Sequence, residues 1–220
     1  MKSRINYNEI LFQNVVDGMP VRKIAIGSLA LPTGQIVVCD PLAYPDRPPF
    51  VRAVAPGYYP VTLYMADTGA SGERVAIATL QFNSTQADYY ELALRPNEDD
   101  SELASPDEFY GFPVDAGLGG FIDVAVLTYY NQFLDNFYTA HPNGNIYDDF
   151  FKDIFKLTAT EERPDGDWVN FQFPEKPDYN LSMFSSGYGD GVYPAYWGLT
   201  KKGECVNLII DFHVLLLPEG

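Results

Sequence analysis

The sequence predicts an α+β fold, mainly antiparallel β-sheet and sandwich-like, with a helical insertion near residues 121–158. Three observations carry this. Short segments of alternating or continuous apolar character, separated by glycine- and proline-rich turns, fill the first ninety residues and the last third. Between them the apolar residues switch to spacings of three and four, the period of a helix. No internal repeat or low-complexity tract divides the chain, so residues 1–220 are read as a single domain.

After an opening that carries no assignment, IAIGSLALPTGQIVVCD is apolar on both sides of Pro32-Thr33-Gly34. This predicts two strands joined as a hairpin, ended by Asp40-Pro41. The proline-rich YPDRPPF is a loop, and GYYPVTLYMAD and ERVAIATLQF are strands on either side of a turn at Gly69 to Gly72. RPNEDDSELASPDEF, residues 95–109, is acidic and poor in large apolar groups, which predicts an exposed connection. From Phe121, FIDVAVLTYYNQFLDNFY has helical spacing, and NIYDDFFKDIFKLT puts Ile146, Phe150, Phe151, Ile154 and Phe155 on one helical face. Asn143-Gly144-Asn145 breaks the two helices, with Asn145 as the expected N-cap. WVNFQF alternates, NLSMFSS and VYPAYWGL read as strands, and CVNLIIDFHVLLL closes the chain as a long buried strand after a turn at Lys201-Lys202-Gly203-Glu204.

Thirty acids against fourteen bases leave a formal net charge of −16. Such a surface repels phosphate backbones and attracts basic partners, so nucleic-acid binding is not expected and a basic protein partner is. The segment 208–217 is too short to span a bilayer and is broken by Asp211 and His213, and no apolar run follows Lys2 and Arg4. Neither a membrane association nor a signal peptide is therefore expected. Cys39 and Cys205 lie in apolar strand-like runs instead of a disulfide framework, which predicts reduced, largely buried thiols and a cytoplasmic location.

Read in order, the pieces GQIVVCDPL, APGYYPV, RVAIATLQF, GFPVDAGLGGFID, SSGYGDGVYPAYWG and VNLIIDFHV form a series. Together the chain resembles, from about Gly27 to Leu215, the bacterial family catalogued as domain of unknown function 4241. VDAG with its downstream acid Asp123, and SGYGDGVYP, are the closest correspondences. That family usually carries a tryptophan where Tyr188 stands, so an aromatic ring is retained. The resemblance implies kinship and no particular activity.

Four acids flank strand ends or glycine turns: Asp40, Asp115, Asp123 and Asp190. Clustered, they would offer oxygen ligands to Mg²⁺ or Ca²⁺, as in a metal-assisted hydrolase. Unclustered, Asp40 and Asp190 serve Asx turns and Asp123 complements a helix dipole. No regular metal motif is present, and no cofactor is required. Gly117-Leu118-Gly119-Gly120 has no lysine beside it and reads as a close backbone approach more than an anion cradle. Asp211 and His213, two apart in a strand, share a face and form a candidate acid–imidazole pair, with no marked nucleophile to serve.

The densest feature is SSGYGDGVYPAYWG. Its glycines permit tight turns while Tyr188, Tyr193, Tyr196 and Trp197 supply flat faces with polar tips. Of these, Tyr188, Tyr193 and Trp197, with Ser186, Asp190, Asp115 and Asp123, make the candidate binding set. The expected function is a binding or inhibitory protein of the immunity type, an acidic surface engaging a basic partner such as a toxin. The alternatives are the metal-assisted hydrolase and a module that binds a small molecule at the glycine turn.

Overall fold

The computed structural model describes residues 2–105 and 108–215. Among them, twelve strands form two antiparallel sheets. The larger sheet runs in the order β1 (Val15–Val16), β2 (Met19–Leu31), β4 (Gly57–Asp67), β5 (Glu73–Gln81), β12 (Cys205–Asp211), β11 (Gly191–Leu199) and β6 (Tyr89–Leu92). A further strand, β7 (Gly111–Val114), pairs with the first half of β11. The smaller sheet has the order β3 (Ile36–Cys39), β8 (Leu118–Asp123), β10 (Lys176–Ser185) and β9 (Trp168–Phe173). A short helix α1 (Tyr7–Phe12) precedes the strands, and α2 (Val124–Ala140) and α3 (Lys152–Phe155) form the helical insertion.

The small sheet is the middle of three layers, and the alternation of its side chains shows why. In β3, Ile36 and Val38 face the large sheet while Val37 and Cys39 face the helices. Phe121 and Phe184 join the first core; Ile122 and Met183 join the second, under Val126 and Tyr130 of α2. Strands buried on both faces need apolar residues without alternation, which is what IVVC provides. Each fully buried side chain of this size contributes about 1.5–3 kcal/mol.

Three expectations are corrected, and a fourth, the exposed 95–109 connection, holds among its described residues except at buried Arg95. β2 and β3 are not a hairpin: β2 pairs with β4 in the large sheet and β3 with β8 in the small one. Pro32-Thr33-Gly34 is a crossover between layers, and Gly34 is needed there, since its φ is +74° and a Cβ would sit 1.9 Å from the Val54 carbonyl oxygen. The helical insertion begins at Val124, not Phe121, because Phe121 is paired with Val38 on one side and Ser182 on the other as part of a central strand. The last strand ends at Asp211; His213 is left-handed at φ 53°, so the strand periodicity stops there, and residues 216–217 lie outside the described residues. The 95–109 connection is anchored by Arg95, 4% exposed, which pairs with Glu98 at 3.1 Å, donates to the Val38 carbonyl and lies over the Phe50 ring. Pro106 and Asp107 lie outside the described residues.

Asn145 does cap its helical segment, accepting from the amides of Tyr147 and Asp148, but the turn that follows, Tyr147–Phe151, is π-helical before α3 begins. Ile146, Phe151 and Phe155 are the buried members of the expected face. Cys39 is buried, with its thiol pushed up to about 12 by desolvation, whereas Cys205 is only half-buried; both are free.

A polar clamp ties the two sheets beside the bulge at Gly27. Asn180 Nδ2 donates to the Ser28 carbonyl at 2.7 Å, and its Oδ1 accepts from the Ala30 amide at 2.7 Å. Gly27, at φ +108°, leaves room for the Asn170 amide, which would lie 2.6 Å from a Cβ.

Candidate functional site

The glycine turn joins β10 to β11 at one end of the sandwich. Gly187 (φ 60°) and Gly189 (φ 108°) adopt the left-handed backbone that a tight reversal requires. A Cβ on Gly187 would also lie 2.8 Å from Val214 and 3.0 Å from Phe212, so the turn is seated directly on the C-terminal segment. The Gly189 carbonyl is held twice, by the Ser186 hydroxyl at 2.9 Å and the Tyr193 hydroxyl at 2.8 Å. The Ser186 amide donates to the Gly117 carbonyl at 3.0 Å, which brings the VDAG turn alongside. Burial, and secondarily the charge of Asp190, push the Tyr193 hydroxyl up, keeping it a neutral donor.

This scaffold holds Tyr188 outward. Its ring is 61% exposed, with the Arg74 guanidinium 6.0 Å from the centroid. Asp190 is exposed beside it and accepts no hydrogen bond from any described residue, so it is not an Asx-turn aspartate. Val192 adds an apolar side chain that is 53% exposed.

The remaining sequence-predicted residues divide differently. Ser186 and Tyr193 are buried supports of the turn. Trp197 is elsewhere: it is 2% exposed, packs against Phe50 and Phe82, and stands seven residues along β11, roughly 23 Å from Asp190 at the rise of a strand. Asp115 is exposed near the turn, and its amide donates to Asp40.

Asp40 and Asp123 are fully buried and spent on the fold. Asp40 Oδ1 accepts from the amides of Leu42 and Ala43, as an Asx turn does, and Oδ2 accepts from those of Asp115 and Ala116 at 3.0 and 2.7 Å. Asp123 caps α2 through the Ala125 amide and accepts from the Thr33 amide, the Thr33 hydroxyl and the Gly34 amide. Among the described residues no three of His, Cys, Asp and Glu come together in a group that could hold a metal ion. Asp40, Asp115, Asp123 and Asp190 are thus not brought into a metal centre, because two of them are consumed by backbone amides.

The chain from β2 to β12 matches a family model described as protein of unknown function (DUF4241) over residues 29–210. The chain belongs to the DUF4241 family. No curated protein and no solved structure matches it. In this DUF4241 protein the matched residues include the crossover clasp of Asp123, the Asp40 loop and the whole Tyr188 turn; helix α1 and His213 fall outside them.

The acid–imidazole pair takes another form. The Asp211 carboxylate points inward, accepting from the Tyr7 hydroxyl at 2.9 Å and from the His213 amide at 2.8 Å, while the His213 ring is exposed against Phe109 and Tyr193. Sequence reading missed Tyr7 as the partner, since 204 residues separate the two. Burial raises the Asp211 pKa. A carboxyl that binds its proton more tightly when folded adds stability below its unfolded pKa, near 4, and loses it as pH rises through the folded value. Asp211→Asn keeps an oxygen to accept from the His213 amide and turns the other position into an amide that donates to the Tyr7 oxygen in place of accepting from its hydroxyl, and without a charge to bury it should melt above the parent at neutral pH. Melts across pH should show that gain disappearing toward pH 4; a constant difference would contradict the linkage.

Among the described residues no helix is long and apolar enough to cross a membrane.

Proposed function

We propose that this DUF4241 protein is a binding or inhibitory protein of the immunity type, which engages a basic protein partner through the Tyr188 turn. The observation that carries the reading is Tyr188 itself: a large ring held in solvent by a hydrogen-bonded turn, with the unbonded carboxylate of Asp190 beside it. Tyrosine and arginine dominate binding energy at protein interfaces, and the Tyr188–Arg74 pair offers both. The net charge of −16 supports a basic partner, with Asp190 and Asp115 as local counter-charges. Two free thiols agree with a cytoplasmic location.

A carboxylate-based hydrolase is not favoured, because Asp40 and Asp123 have no lone pairs left for a metal. The test of the binding reading is association with the basic product of a neighbouring gene, followed by stopped flow as salt rises from about 20 to about 300 mM. Charge-steered docking predicts an association rate falling about tenfold or more over that range. A rate indifferent to salt, or no complex with any basic neighbour, would contradict it.

A further inference from the structure

The VDAG turn, tied to the Tyr188 turn by the hydrogen bond from Ser186 to Gly117, also borders a pocket of about 330 Å³ at the C-terminal end of α2. Leu42, Ala116, Tyr138, Asn145, Ile146 and Tyr147 line it. We propose that this pocket receives an arginine side chain presented by the basic protein partner. The proposal deepens the partner reading and rests on it, but its test is separate.

The first argument is the lining. Tyr138 is 43% exposed and Tyr147 half-buried, and neither hydroxyl makes a hydrogen bond with a described residue. Ile146 is buried and Leu42 half-buried, so much of the remaining wall is aliphatic. A guanidinium stacks on tyrosine and is more weakly hydrated than an ammonium, while the arginine stem is apolar. This mixture of rings and aliphatic groups suits arginine better than lysine.

The second is the end of the helix. The last turn of α2 holds no basic residue, and Pro142 has no N–H with which to close the Tyr138 carbonyl four residues back. The His141 ring, at the cap position, lies against Phe137. Where Tyr138 meets the pocket, the negative end of the helix dipole is therefore left without a basic side chain of its own, and an entering cation supplies one.

The third is the surrounding charge. Asp115 is exposed beside Ala116, and Asp148 and Asp149 follow Tyr147. Burial, then the charge of Asp165, push the Tyr147 hydroxyl up, with Lys152 opposing. That lysine is engaged, its ammonium 3.0 Å from Asp148. Asp115, Asp149 and Asp165 make no ion pair among the described residues, so a cation in the pocket meets uncompensated negative charge. The walls are also fixed beforehand. Asn145 Oδ1 accepts from the amides of Tyr147 and Asp148, and Asp149 Oδ2 accepts from the Asn145 amide at 2.7 Å, which leaves little ordering for the ligand to impose.

The experiment is NMR shift titration and calorimetry on the full chain with the peptide acetyl-Gly-Arg-Gly-amide. Peptides with citrulline or lysine in place of the arginine are the comparisons, and agmatine is the free guanidinium compound. The arginine peptide should bind saturably with a millimolar or tighter Kd, with shifts centred on Ala116, Tyr138 and Tyr147. Citrulline has the shape without the charge and should bind about tenfold more weakly, with lysine between the two. Tyr138→Ala should weaken the arginine peptide about fivefold or more, and Tyr138→Phe, which keeps the ring, should bind as the parent does. The side chain is exposed, and a melt of each variant verifies that the fold is kept. No saturable binding, citrulline as tight as arginine, agmatine tighter than the peptide, Tyr138→Ala binding as the parent, or shifts spread evenly over the acidic surface would each overturn the proposal. None of these outcomes touches the Tyr188 contact, which fails separately if association with a basic neighbour ignores salt or does not occur.

Discussion

Asp123→Ala should lower stability by about 3–5 kcal/mol. The carboxylate is wholly buried and serves two elements at once: it caps α2 and holds the crossover at Thr33 and Gly34, where the chain leaves the large sheet for the small one. Losing the cap alone costs about 0.5–2 kcal/mol. The amides of Thr33 and Gly34 then lose their acceptor, at about 1–3 kcal/mol for each that stays dry, with the sum reduced where water enters. For a chain of this length the midpoint of thermal unfolding should fall by roughly 10 °C. Asp123→Asn keeps one oxygen and should fall between the two. Asp190→Ala, by contrast, removes no hydrogen bond within the described residues and should change stability by no more than about 0.5 kcal/mol. Chemical denaturation of the three variants checks the order; equal losses for Asp123→Ala and Asp190→Ala would contradict the clasp.

The same residue shows what the sequence made legible. An acid immediately before a helical pattern is recognisable as a cap, and Asp123 performs that role. Its second role depends on Thr33 and Gly34, ninety and eighty-nine residues away, and no local pattern connects them. The antiparallel class and most strand positions followed from alternation and turn residues, because those signals are local. The failed hairpin has a related cause. LPTG has the chemistry of a tight turn, but IVVC is apolar at four successive positions, the pattern of a strand covered on both faces, and that pattern belongs to a middle layer instead of a hairpin arm. At the glycine turn, the aromatic density suggested one surface, whereas successive residues of β11 face opposite ways and recede from the turn. Trp197 and Tyr193 are therefore core, Tyr196 is partly buried, and Tyr188 is the exposed member.

Tyr188→Ala should weaken the complex with a basic partner by roughly 30-fold or more, the scale of an interface hot spot, without changing stability. The ring is exposed and its backbone is fixed by hydrogen bonds from Ser186 and Tyr193 to Gly189, so truncation removes contact surface and leaves the turn intact. Asp190→Asn keeps the side-chain shape and removes one charge, so its loss should be smaller and lie mainly in the association rate. Tyr58, 65% exposed on β4 of the large sheet, is the matched control for a surface tyrosine. The decisive measurement is the Kd of the partner for the parent, Tyr188→Ala, Asp190→Asn and Tyr58→Ala at one salt concentration, with a melt of each. The account predicts four equal melts, a large loss for Tyr188→Ala, a moderate loss for Asp190→Asn and none for Tyr58→Ala; a Tyr188→Ala protein that binds as tightly as the parent would contradict it.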